Sequence, residues 1–171
     1  MIAIIITVMV LELHAPTRAG WDGFRPGLVP LLIYGVGFQL VAAMWVLHHN
    51  TMVRMPHLNG RMLWANFLFL FLLSLFPVTV EAVSLHPTDA ADVSVFCINA
   101  LLCGGALTLF RLAGLRDHAD EPDFQEWNVR RGWLSLVGLG GVLLAIALAF
   151  YSTYVALGLM ASVLLLVLMA G

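Results

Sequence analysis

Five stretches of this chain are each long and apolar enough, or nearly so, to cross a lipid bilayer, and that property restricts its fold more than any motif does. A helix rising about 1.5 Å per residue needs about 20 apolar residues to cross a hydrocarbon layer of roughly 30 Å. The stretches are Leu28–His48, Met62–Val83, Val93–Ala113, Trp133–Phe150 and Tyr154–Ala170, preceded by a shorter apolar segment, Met1–Leu13. The expected fold is an all-α integral membrane protein. It is a six-helix transmembrane bundle with short loops and a truncated first helix, in one channel-sized domain over residues 1–171.

Composition excludes the alternatives. With 61% hydrophobic and only 11% charged residues, the 171-residue chain is not an ordinary water-soluble domain. All eight basic residues are arginines, set against ten acidic ones, so there is no basic arm or patch for nucleic acid. Cys97 and Cys103 sit six apart in one apolar run, on different faces of a helix, which gives neither a disulfide framework nor a CxxC metal site.

The first segment lacks the basic start of a secretory signal, carries Glu12 at its far end and has no convincing small-residue cleavage site. Its residues extend only about 20 Å as a helix, short of a full crossing. The expectation is the tail of a first transmembrane helix, in a chain that begins inside that helix or whose start is placed too late.

Arginines mark the cytoplasmic side of membrane proteins. Arg54 and Arg61 follow the second helix, and Arg111, Arg116, Arg130 and Arg131 surround the fourth-to-fifth connection. The opposite connections hold only Arg18 and Arg25, with Asp89 and Asp92 between the third and fourth helices. Both termini are therefore expected in the cytoplasm. The charged stretch Arg116–Arg131 reads as a solvated loop with room for a short interfacial helix. Gly35, Gly37 and the run Gly138, Gly140 and Gly141 provide small residues where helices can approach closely; they follow no strand and make no phosphate loop.

At about 100° per residue, Ile4, Val8 and Leu11 form a narrow apolar stripe on the first helix, with Thr7 on its flank. Thr7 either bonds back to a carbonyl one turn earlier or faces a pore. Glu12 either reaches interfacial water or draws cations to a mouth. Intramembrane polar groups are costly unless paired or wet. His48 and His49 are adjacent and point about 100° apart, so they do not chelate one metal as an i, i+4 pair would, and no metal or cofactor site is expected. Asn66 lies near the same end of the third helix and needs a partner, for which His48 and His49 are at the right depth. Pro77 removes a backbone donor and bends that helix, with Ser74 or a neighbouring helix available to the freed carbonyl. Asn99 has no evident partner.

Ala3–Leu13 with its Ile-Ile-Ile-Thr core, Trp45-x-x-His48-His49, Leu63-Trp64-x-Asn66 through Ser74-Leu-x-Pro77, and Val129-Arg130-Arg131 together resemble the prokaryotic relatives of the lysosomal potassium channel transmembrane protein 175. The paired histidines followed at this distance by Trp-x-Asn are the specific part; the last two helices match only in hydrophobic character. The resemblance implies a potassium-permeable cation channel, six helices per unit and a homotetramer around one axis. It also implies a bacterial plasma membrane, with potassium ions and the lipid bilayer as partners. In that family the first helix lines the pore, and a large aliphatic residue three before the threonine forms the tightest ring. Carried over, the ring is Ile4, with Thr7, Val8 and Leu11 lining the same face.

The chain departs from the family in two places. The Arg-x-x-x-Phe-Ser-Asp motif that precedes this segment in the family is absent, and with it a polar clamp on the second and third helices; Thr79 stands where a second proline is often found. The rival readings are a proton-coupled or other secondary transporter using His48, His49, Glu12 and Glu81, an intramembrane enzyme, and a non-conducting bundle. A transporter would show internal repeats and paired broken helices; an enzyme would show a nucleophile–base pair or ligand set. The sequence has none of these features.

Overall fold

The computed structural model describes residues 2–11, 13, 20, 25–55, 57–117 and 122–169. Helix α1 is Ile2–Leu11, α2 Leu28–Arg54, α3 Gly60–Ser74, α4 Phe76–Leu85, α5 Ala90–Gly114, α6 Pro122–Ala149 and α7 Thr153–Met169. Short 3-10 turns at Arg25–Gly27 and Leu115–Asp117 adjoin α2 and α5. No strand occurs among the described residues, and the architecture is the all-helical bundle the apolar runs require. Four spans, Arg25–Arg54, Gly60–Leu85, Ala90–Gly114 and Gln125–Ala149, are long and apolar enough to cross a membrane.

Several limits differ from the hydropathy reading. Helix α2 continues six residues beyond His48 to Arg54, so both histidines lie inside a helix rather than at its end. Polarity rises where a helix leaves lipid, but i to i−4 hydrogen bonding does not stop there. For the same reason α6 begins at Pro122, not Trp133, and takes in most of the charged stretch. The apolar run Met62–Val83 is interrupted at Leu75, two residues before Pro77, which divides it into α3 and α4. Pro77 cannot donate to the carbonyl one turn earlier. At this break the Leu75 amide donates to Leu72 and the Ser74 hydroxyl donates to the Phe71 carbonyl at 2.7 Å, so Ser74 serves a different carbonyl from the one that Pro77 frees.

Helix α5 is the hub, packing against α2, α3, α4, α6 and α7, whereas α1 packs on α2 and α4. Phe69, Phe76, Phe96 and Phe110 fill the centre, with Phe76 and Phe96 edge to face at 6.0 Å. Cys97 and Cys103 are buried and unpaired there as thiols. Asn59 ties the helix ends together: its Oδ1 accepts from the Met62 amide as the cap of α3. Its Nδ2 donates to the Ala113 carbonyl at 3.0 Å and to Asp117 Oδ2 at 2.6 Å. At the other end Asp89 caps α5 through the amides of Ala91 and Asp92.

Glycine marks the closest approaches. A Cβ on Gly37 of α2 would lie 2.5 Å from Val80 Cγ2 on α4 and 3.1 Å from Met9 Cε on α1. A Cβ on Gly141 of α6 would lie 2.5 Å from Val163 on α7, while Gly35 and Gly140 face open space. Only part of the glycine set therefore acts as a helix seam.

Candidate functional site

Helix α1 has ten residues and no charge, and its orientation is set by two side chains. Ile5 and Met9, one turn apart, are 6% and 1% exposed and pack into the groove between α2 and α4, where Gly37 admits the Met9 methyl. Four residues along a helix return nearly to the same face, so docking this pair turns the opposite face outward. Ile4 and Leu11 are 64% and 76% exposed, Val8 is 39% exposed, and Thr7 is exposed between them. The Thr7 hydroxyl donates to the Ile4 carbonyl at 2.8 Å. That bond uses the hydroxyl proton and leaves the oxygen lone pairs directed away from the helix backbone. The two readings of Thr7, a backbone bond and an outward-facing oxygen, are thus compatible.

The polar residues of α2 and α3 separate into two roles. His48 Nε2 and Asn66 Oδ1 are 2.8 Å apart, joining α2 to α3 in a partly buried position. The His48 ring is stacked on Phe69 at 5.1 Å and tilted against Phe110 at 5.4 Å, so aromatic neighbours from α3 and α5 fix its plane. His49, one residue on, points away and stacks on exposed Trp45 at 5.3 Å. Adjacent helical positions diverge by about 100°, and only one of the two can reach Asn66. Among the described residues no group of three His, Cys, Asp or Glu side chains could hold a metal ion.

The remaining polar positions fall in different places. Glu81 is exposed on α4, far in sequence from His48 and His49, and Glu12 and Arg18 lie outside the described residues. Asn99 is buried on α5 with neither amide atom hydrogen-bonded within the described residues, as is the Ser94 hydroxyl. Arg111 and Arg131, which the sequence marks as signs of orientation and, for Arg131, as part of the Val129-Arg130-Arg131 motif, are 7% and 8% exposed. No linear spacing signals this, because the two residues come from α5 and α6 and meet through packing.

Against this geometry, comparison with known proteins is specific. Residues 1–77 match the family model described as the endosomal/lysosomal potassium channel TMEM175. A potassium channel of Chryseobacterium sp. (strain P1-3) is 30% identical over 157 residues, which is 92% of this chain and 81% of that protein. The crystal structure of a lysosomal potassium-selective channel TMEM175 homologue from Chamaesiphon minutus superposes with a TM-score of 0.78 at 21% identity. The match covers 98% of this chain and 90% of that one, a likeness of fold. The chain belongs to the TMEM175 family and is an integral membrane protein.

Proposed function

We propose that this chain is the subunit of a potassium-permeable cation channel in which α1 lines the pore and Ile4 forms its narrowest ring. The observation that carries the reading is the two-faced burial of α1: Ile5 and Met9 are docked, and Ile4, Thr7, Val8 and Leu11 are presented together on the free side. In a single subunit, a face toward a central axis and a face toward lipid are both exposed. Two things favour the axis: a hydroxyl lies within the stripe, and the chain's 30%-identical relative is a potassium channel.

One stripe makes no conduit, so the proposal includes assembly of several copies, a homotetramer with α1 innermost. Arginine placement supports cytoplasmic termini, and the relative from Chryseobacterium supports a bacterial plasma membrane. A ring of Ile4 side chains excludes water when narrow and passes a partly dehydrated ion when the side chains part. Thr7 lies about one turn along the same face, and its oxygen, with its proton committed to Ile4, accepts a cation in place of a water molecule. The larger potassium ion gives up hydration water more readily than sodium, which gives the ring its preference.

The test is flux from vesicles containing the purified protein. Ile4→Ser is expected to raise sodium permeation relative to potassium, and flux in the wild type is expected to be indifferent to any counter-ion gradient. An unchanged ratio in the variant overturns the assignment of Ile4, and strict dependence on a proton gradient overturns the channel in favour of a carrier.

A further inference from the structure

Asn99 lies on the buried side of α5, 5% exposed, with neither atom of its amide hydrogen-bonded among the described residues. An unpaired amide in an apolar interior is costly, and native structures pair such groups with protein or with ordered water. Two contacts between α5 and the antiparallel α3–α4 segment fix the depth of Asn99. The Asn59 amide donates to the Ala113 carbonyl at 3.0 Å, and Phe76 meets Phe96 at 6.0 Å. The seventeen residues from Asn59 to Phe76 match the seventeen from Phe96 to Ala113, so one register holds over that length. Asn99, three residues past Phe96, therefore stands level with Leu73, three before Phe76. It shares a face of α5 with Phe96, Cys103 and Phe110, the face turned to α3 and α4.

Leu73 is the residue whose carbonyl the proline deprives of its donor, because Pro77 stands four positions later and has no N–H. The other donors at the break are committed elsewhere. The Leu75 amide is shared between the carbonyls of Leu72, at 3.2 Å, and Leu73. The Ser74 hydroxyl donates to Phe71 at 2.7 Å and the Thr79 hydroxyl to Phe76 at 3.1 Å. A carbonyl oxygen has two lone pairs, so part of one amide leaves Leu73 with capacity to accept. Leu73 and Pro77 are both buried, which keeps bulk water and lipid headgroups away. An amide with donors to spare and a carbonyl short of a donor thus stand at one depth on facing helices and do not bond directly. Both are enclosed by helices of their own subunit, so a neighbouring copy cannot supply the partner.

We propose that a bound water molecule joins Asn99 to the helix break, accepting from the amide Nδ2 and donating to the Leu73 carbonyl. Water suits the task because it donates and accepts at once, and buried waters hold to otherwise unpaired polar groups of this kind. Prolines within membrane helices are tolerated where neighbouring helices and ordered waters serve the freed carbonyl. The site steadies the angle between α3 and α4. Val80, which closes over Gly37 beside Met9 of α1, stands three residues beyond Pro77 on α4, so what steadies the break also steadies the seat of α1. This is independent of whether α1 lines a pore.

The experiment is a double-mutant cycle between Asn99→Leu and Pro77→Ala in the full-length protein, read by equilibrium unfolding in mixed micelles, with an experimental structure fine enough to show ordered water. Leucine has the branching of asparagine without its polar atoms, and alanine at position 77 restores the N–H that the Leu73 carbonyl lacks. Asn99→Leu is expected to lower the ratio of folded to unfolded protein about tenfold more when Pro77 is present than in the Pro77→Ala background. Ordered density is expected within hydrogen-bond reach of both Asn99 Nδ2 and the Leu73 carbonyl, and is expected to be lost in Pro77→Ala. If Asn99→Leu fails to fold, that density and its loss in Pro77→Ala decide. An equal loss of stability in both backgrounds, as a side chain that merely fills space would give, overturns the proposal. So does the lack of density between the two groups, and a direct bond from the amide to the carbonyl overturns the assignment to water.

Discussion

Helices α1 and α5 are both apolar, yet they are held in opposite ways. Helix α5 buries twelve residues along its length and touches five other helices; α1 buries Ile5 and Met9 and touches two. Hydrophobicity cannot account for the difference, because a lipid tail is as apolar as a leucine and leaves no solvent penalty for an exposed apolar face. What separates the two is shape and small residues. Helix α5 interlocks with Phe69 and Phe76 from its neighbours, whereas α1 is admitted by a single missing side chain at Gly37. A helix fastened along one edge keeps its other faces available, as a pore-lining element needs.

If that contrast is right, substitutions should cost stability in a definite order. Phe110→Ala removes a ring that is wholly buried on α5 and packed on His48, and should cost about 3 kcal/mol. Thermal unfolding in detergent measures this, and a loss no greater than that from a lipid-facing substitution would remove α5 from its place as the hub. Gly37→Val drives a branched side chain against Val80 and Met9 and should cost about 2 kcal/mol. Its effect should be confined to the α1 seam, so proteolysis within α1, or labelling of a single cysteine introduced there, should increase before global unfolding; protection unchanged from that of the Gly37 parent would show that α1 is held elsewhere. Leu136→Ala on α6 is the small end of the series. That side chain is 62% exposed, and its loss should change stability by less than about 0.5 kcal/mol. A larger loss would place α6 in a subunit contact instead of in lipid.

Much of this arrangement is legible in the residues alone, for identifiable reasons. Four of the apolar stretches become helices long and apolar enough to cross, in the expected order, because the bilayer imposes a minimum; α1 and α7, of 10 and 17 residues, fall short of it. The approach of Asn66 to a histidine at matching depth follows from the cost of an unpaired amide in lipid; which histidine it meets does not, since that depends on how α2 is rotated against α3. Helix limits are less legible: α2 and α6 extend through polar residues, such as His49 and Glu126, that hydropathy reads as loop. Least legible is the burial of two arginines. Arg111 and Arg131 look like ordinary marks of the cytoplasmic side, and only the packing of α5 on α6 reveals both as buried and facing one space.

The account depends most on the free face of α1 meeting water at a shared axis, not lipid. Single cysteines at Ile4 and at Leu136, each introduced alone, distinguish the two environments through a membrane-impermeant thiol reagent added during potassium flux from vesicles. The native Cys97 and Cys103 are buried and provide the unreactive background. The account predicts that Ile4→Cys flux is blocked by the reagent and Leu136→Cys flux is not. Flux through Ile4→Cys that continues unblocked, with labelling there only by lipid-soluble thiol reagents, would contradict it.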